Sequence, residues 1–342
     1  MKIAIFGSGG VGGYFGGRLA AAGEEVTFIA RGAHLAALRQ GGLHIESPNG
    51  ALHLPTVQAT DRPEQVGPVD VVLFTVKLYD VDAAAATLAP MIGPNTVVIT
   101  LQNGVDAVDM VAKHVGAEHV AGGVAYIVIV IDRPGHLRHT TAQQLVFGER
   151  DGSRSPRLVA FEEAGLRAGF QAKASTTVET DLWIKFVRLS TWSGMTTVTR
   201  SPMGVVRETA ELFAIMMTAI DETIAVGRAR GILFPPTLME DTLALIRNFP
   251  ASSKSSMLED LERGRRLELP WLSGAVVRLG KEAGVPTPTH QFISAVLQPF
   301  MSGGRVSAEM AVAAFAGAPS VSSAQFRSDL DSVVDQDPTP RA

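Results

Sequence analysis

Ile3-Ala4-Ile5-Phe6-Gly7-Ser8-Gly9-Gly10-Val11-Gly12 decides the fold. An apolar run of strand length leads directly into G-x-G-x-x-G, and the pattern turns helical over Val11–Ala22, with small residues at Gly16, Gly17 and Ala20. A second strand-like run, Val26–Ile29, follows. In this setting each glycine has a mechanical task. Gly7 permits a tight turn, Gly9 lets the backbone approach a pyrophosphate, and Gly12 lets helix and strand pack closely; the helix N-terminus then offers unpaired N–H groups to the anion. Gly7, Ser8, Gly9, Gly10, Val11 and Gly12 are therefore read as a dinucleotide cradle. The second strand ends Phe28-Ile29-Ala30-Arg31-Gly32, without the acidic residue that would take the ribose 2′-hydroxyl of NAD. A guanidinium at that point suits a 2′-phosphate, so Arg31 points to NADP(H).

Outward from this unit the chain alternates. Val69–Val76 and Val97–Leu101 are further apolar runs of the kind buried on both faces of a parallel sheet, and Asp80–Met91 and Val105–Val115 read as helices between and after them. Alternation at this spacing predicts an α/β fold, a doubly wound Rossmann sheet. Val124–Ile131, His136–His139 and Leu145–Phe147 read as an antiparallel extension closing that domain, and Arg157–Ala168 as its last helix. Beyond a hinge at Ser175–Glu179 the pattern is helical over Asp181–Thr199, Val206–Arg230, Pro236–Arg247, Trp271–Ala283 and Thr289–Met301. The expected organisation is a nucleotide-binding domain at 1–174, a mostly α-helical substrate and catalytic domain at 175–319, and a mobile tail at 320–342 rich in Ser, Asp and Pro.

Composition narrows the function. With 342 residues, 46% hydrophobic and 19% charged, the chain is long enough for two packed domains. Its 30 basic against 34 acidic residues provide no field for a nucleic-acid backbone. Its most apolar run, Val120–Ile131, is interrupted by Gly122-Gly123 and falls short of the roughly 20 residues of a spanning helix. A strand begins almost at Met1, so no signal peptide is expected and the cytoplasm is the default location. The absence of cysteine removes disulfides, thiolate metal sites and cysteine nucleophiles. His136 and His139, three apart in a strand, fall on opposite faces, and no other histidines have ligand spacing, so no metal is expected.

Four further segments, with the glycine loop, resemble the ketopantoate reductase family, the 2-dehydropantoate 2-reductases of pantothenate synthesis. They are Thr75-Val76-Lys77, Leu101-Gln102-Asn103-Gly104, Leu182-Trp183-Ile184-Lys185-Phe186, and Ser255-Ser256-Met257-Leu258-Glu259-Asp260 followed by Glu268. The resemblance implies that Lys185 is the general acid, and that Glu268 contacts substrate and supports that lysine. It also implies that Ser256 and Asn103 bind the 2-oxo-acid end and the neighbouring cofactor, and that Lys77 lies on the nicotinamide side of the cleft. Elementary chemistry agrees: hydride delivery to a ketone builds negative charge on oxygen, which a nearby ammonium stabilises and then protonates. Ser-x-x-Glu at Ser256–Glu259 also reads as a capping box for the helix that follows.

The chain departs from the family pattern at substrate-facing positions. Asparagines usual four and eight residues after the catalytic lysine are replaced by Leu189 and Ser193, on the Lys185 face of the helix. An asparagine before the key serine is replaced by Ser253, and an E-I-D run by Glu268-Leu269-Pro270. The expectation is an NADP-dependent oxidoreductase reducing a small 2-oxo acid or related ketone, with ketopantoate itself a poor substrate. A hydroxyacid or opine-type dehydrogenase on a bulkier apolar ketone, and a catalytically silent NADPH-binding sensor, remain alternatives. Long apolar helices such as Val206–Arg230 leave room for a homodimer.

Overall fold

The structure, a computed structural model, describes residues 1–304. The expected tail at 320–342 and the last part of the second domain, 305–319, lie outside the described residues.

The chain begins with β1 (Lys2–Phe6), α1 (Gly10–Ala21), β2 (Glu25–Ile29) and α2 (Gly32–Gly41). Short strands β3 (Leu43–Glu46), β4 (Leu52–Leu54) and β5 (Gln58–Thr60) precede β6 (Val71–Phe74), α3 (Val81–Ala85), β7 (Val97–Thr100) and α4 (Ala107–Val115). A long hairpin, β8 (Val120–Arg133) and β9 (His136–Gly148), leads to α5 (Pro156–Arg167) and β10 (Gln171–Ala174). The ten strands form one sheet in the order β4-β3-β9-β8-β7-β6-β1-β2-β5, with β10 also paired to β9. Pairing is parallel from β5 through to β8 and antiparallel only between β8 and β9 and between β3 and β4.

The doubly wound reading holds because the central strands β1, β6 and β7 bury apolar side chains on both faces. Ile3, Ile5, Leu73 and Ile99 bury one face of the sheet with Phe15 and Leu19 of α1 and Phe161 of α5. Their alternates Ala4, Phe6, Val72 and Val98 bury the other with Val81, Ala84 and Val111 of α3 and α4. Each such Ile, Leu or Val, once fully buried, contributes about 1.5–3 kcal/mol.

The second half is helical: α6 (Val178–Thr199), α7 (Met203–Glu208), α8 (Ala210–Ala229), α9 (Leu238–Asn248), α10 (Ser256–Glu262), α11 (Ser273–Ala283) and α12 (Pro288–Leu297). It has its own core around Trp183, Phe186, Ile220, Leu269, Val276 and Ile293. Ser175 at the junction is tied down, its hydroxyl donating to Asp181 at 2.5 Å.

Several expectations need correction. Asp80–Met91 is not one helix but a 3-10 turn, the five-residue α3 and a second 3-10 turn at Ala89–Met91. Pro90 has no N–H to continue a helical ladder. Val206–Arg230 breaks at Thr209, whose extended backbone (φ −90°, ψ 112°) separates α7 from α8. A one-residue break leaves the apolar spacing on both sides unchanged, so the pattern ran straight through it. The antiparallel extension is present as the β8–β9 hairpin, but the sheet continues past it, the outer side of β9 pairing with β3 at one end and with β10 at the other.

Candidate active site

The site lies where β1, β6 and β7 end, across from α6 and α10. The backbone of Gly7 has φ +101°, and a side chain there would sit 2.8 Å from the Val76 nitrogen. Gly12 is tighter still, since a Cβ would come within 2.5 Å of both the Gly7 carbonyl and Thr75 Oγ1. Thr75 Oγ1 itself donates to the Gly7 carbonyl at 2.5 Å, locking the turn to β6. Above Gly9 nothing lies within 4 Å, so the helix N-terminus is open where a pyrophosphate would approach. No acidic residue occupies the first turn of α1. Ser8 is buried, its hydroxyl turned inward to the Ile29 carbonyl at 3.0 Å, which leaves its backbone rather than its side chain for a ligand. Arg31 is exposed at the end of β2, with no ion-pair partner among the described residues.

Lys77 follows β6 and reaches across the cleft. Its Nζ lies 3.1 Å from Asp260 of α10 and 3.4 Å from Glu268. Burial alone would lower this ammonium, but the two carboxylates hold it above its ordinary value. Glu268 is buried and also accepts the Leu78 backbone N–H at 3.1 Å. Asn103 follows β7 and is half-buried, while its neighbour Gln102 donates to the Phe74 and Val76 carbonyls at 2.9 and 3.1 Å. Gly104 has φ +92°, and a Cβ there would lie 2.7 Å from the Trp271 carbonyl, so the turn is pressed against the helical domain.

Lys185 projects from α6 towards the sheet, where Nζ donates to the Ala125 carbonyl of β8 at 2.9 Å. Burial pushes its pKa down to about 8, and the charge of Glu268 partly opposes that fall. The two residues are thus electrostatically linked without forming an ion pair. Glu268 holds Lys77 directly, so its support of Lys185 is through space.

Ser256 stands exposed at the first position of α10. The capping reading is corrected by one residue: Ser255 is the N-cap, its buried hydroxyl accepting the Leu258 N–H at 3.1 Å and receiving Thr196 Oγ1 at 2.8 Å. Ser256 is thereby left free of a structural task. Leu189 borders a cavity beside Lys185. Ser193 is fully buried inside the helical domain, away from that lining, and its hydroxyl has no protein partner.

Asp260 closes the serine segment, and the family resemblance implies no role for it. Its place eight residues before Glu268 was the available signal, but only folding shows that both acids meet Lys77. Tyr126, whose ring lies 6.0 Å from Lys185 Nζ, came with no signal, because it belongs to the opposite domain. Among the described residues no histidine or acidic cluster is arranged to hold a metal, and no helix is long and apolar enough to cross a membrane.

Residues 3–152 match the family model described as ketopantoate reductase PanE/ApbA, and residues 177–300 match the model of its C-terminal domain. A Rossmann sheet with a glycine loop, faced by a lysine-bearing helical domain, defines an oxidoreductase acting on CH–OH groups with a nicotinamide nucleotide. The chain belongs to the ketopantoate reductase family, whose reaction is the reduction of a 2-oxo acid. It is 31% identical over 319 residues to a 2-dehydropantoate 2-reductase of Mesorhizobium japonicum, covering 87% of this chain and 97% of the relative. It is 30% identical to one from Archaeoglobus fulgidus over 303 residues, 89% of this chain and 99% of that one. The crystal structure of a PanE/ApbA family ketopantoate reductase from Ralstonia eutropha superposes with a TM-score of 0.82 at 32% identity, covering 88% of this chain and 98% of the other.

Proposed function

We propose that this protein reduces a 2-oxo acid with NADPH and that Lys185 is the proton donor. The observation that carries the reading is Lys185 itself: a buried lysine brought down to about 8, across the cleft from the glycine loop and within the field of Glu268. Such a group is mostly ammonium at neutral pH yet acidic enough to release its proton as a ketone oxygen becomes an alkoxide. When bound, the nucleotide supplies the hydride. The backbone of Gly7–Gly12 holds its pyrophosphate, Arg31 takes its 2′-phosphate, and Lys77 and Asn103 border its reactive end. Lys77, Glu268 and Asp260 join the two sides of the cleft, and Ser256 and Asn103 offer polar atoms to the acid end of the substrate. Lys185 stabilises charge on the substrate oxygen and then gives its proton to that atom. Leu189 forms an apolar wall next to this centre. The domain division near residue 174, a cytoplasmic setting and a homodimer complete the reading.

The test is calorimetric and kinetic. NADPH should bind at least tenfold tighter than NADH, since a phosphate–arginine contact is worth about 1.5–3 kcal/mol. Arg31→Ala should erase that preference through NADPH alone. Equal affinity of the intact protein for both nucleotides removes Arg31 from the site, and failure to oxidise NADPH with any 2-oxo acid restores the sensor alternative.

A further inference from the structure

Beside Lys185, the seam between β8 and the helical domain encloses a cavity of about 120 Å³. Tyr126 forms the β8 side, Leu189 and Trp192 the α6 side, and Met216, Ile220 and Phe249 the far wall. The Trp192 and Phe249 rings pack at 4.4 Å between centroids, making one aromatic surface. The lining is almost wholly apolar: Thr191 Oγ1 and Trp192 Nε1 are buried without protein partners, while Lys185 Nζ is turned to the Ala125 carbonyl and Arg188 Nε to Thr242 Oγ1. A chamber of this kind stays dry and rewards hydrocarbon: apolar cavities of about 150 Å³ accept benzene, so this slightly smaller one suits a branched group of about four or five carbons.

The rim holds a cation. Arg188, one helical turn from Lys185, donates from Nε to Thr242 Oγ1 at 3.3 Å and has no carboxylate partner among the described residues. The two lysines of the cleft are held already, Lys77 by Asp260 and Glu268, and Lys185 by the Ala125 carbonyl. A half-buried guanidinium without an acid is suited to an incoming carboxylate, which it binds with charge-assisted, bidentate geometry.

Resting on the 2-oxo-acid reading above, we propose that this cavity is the side-chain subsite and that Arg188 supplies the charge that holds the substrate carboxylate, beside the neutral polar atoms of Ser256 and Asn103. The favoured substrates are then 2-oxo acids bearing a branched hydrocarbon side chain without a hydroxyl. A hydroxyl carried into this chamber loses its water and finds no presented donor or acceptor, which weakens binding roughly tenfold or more.

The decisive measurement is kcat/KM with NADPH for pyruvate, 3,3-dimethyl-2-oxobutanoate and 2-dehydropantoate. The last two differ by a single oxygen. We expect 3,3-dimethyl-2-oxobutanoate to exceed 2-dehydropantoate at least tenfold, and pyruvate by roughly 10–100-fold for its three extra buried carbons. Ile246 of α9 also lines the cavity, and Ile246→Phe, which narrows it, should lower the dimethyl acid at least tenfold more than pyruvate. Arg188→Leu should raise KM for all three acids tenfold or more with a smaller effect on kcat, and Arg188→Lys should restore part of it. Should a cavity variant not fold, the intact NADP-loaded protein provides the same comparison by calorimetry, with 3,3-dimethylbutanoate binding at least tenfold tighter than acetate. Equal or better use of 2-dehydropantoate, or equal binding of the two unreactive acids, overturns the subsite while the 2-oxo-acid reading stands. An unchanged KM in Arg188→Leu overturns the carboxylate assignment, and no turnover on any acid overturns both readings.

Discussion

At the scale of the residue, Lys185 carries the greatest tension. Burial favours the neutral amine, and Glu268 only partly compensates, so the ammonium persists to about pH 8. Reduction needs that ammonium, so kcat/KM for the ketone should be level in the neutral range and fall as pH rises through about 8. The same shift sets a sign for stability. The folded value lies below the ordinary 10.5, so the unfolded chain binds more protons between the two values, and stability should rise with pH across that window. Lys185→Met should therefore lower kcat by roughly 10²–10⁴-fold while raising stability at pH 7 by on the order of 1–3 kcal/mol. Turnover and calorimetric melting of the same variant check both; unchanged turnover would exclude Lys185 as the acid. The lysine could be picked out from its segment, but its environment could not, because the Ala125 carbonyl and Tyr126 lie about sixty residues earlier in the chain.

At the scale of the element, α10 and the β7 turn separate structural from chemical roles. Ser255 caps α10 and is buried, whereas Ser256 is exposed. Ser255→Ala should cost about 1 kcal/mol in melting experiments. Ser256→Ala should leave stability within about 0.5 kcal/mol and raise KM for the oxo acid instead. If the two serines exchanged these phenotypes, the one-residue shift in capping would be wrong. Gly104→Ala should destabilise by about 1–3 kcal/mol, since φ of +92° is strained for alanine and its Cβ would press the Trp271 carbonyl. Wild-type melting of that variant would mean the turn moves aside. Elements that are long or continuously apolar, such as α1, β6 and α6, were legible locally. The short strands β3, β4, β5 and β10 were not, because their three or four residues mix polar or charged side chains with few apolar ones and show no continuous buried run.

At the scale of the whole molecule, Lys77, Asp260 and Glu268 tie the Rossmann domain to the helical domain through a half-buried ion triad. Removing its cation leaves the sequestered Glu268 without a cationic partner and Asp260 with only Arg265, 3.8 Å away. Lys77→Met should thus destabilise by about 1–3 kcal/mol at neutral pH, discounted for the partial exposure of the lysine. It should also weaken substrate turnover by loosening the seam. Thermal melting at pH 7 reads the first effect, and a variant as stable as the parent would show that the triad does not hold the domains.

What could be inferred from the chain alone is whatever depends on neighbours in sequence. The glycine loop, the buried parallel strands and the helix that carries Lys185 all follow from local patterns, since turn geometry and runs of apolar residues act over a few positions. Tertiary packing decided the rest. It gave Glu268 to Lys77 rather than to Lys185, turned Ser193 into the core, and assembled the Leu189 cavity from β8, α6, α8 and α9. Ion pairing and cavity shape depend on distances between elements brought together only when apolar surface is buried, and no spacing along the chain encodes those distances.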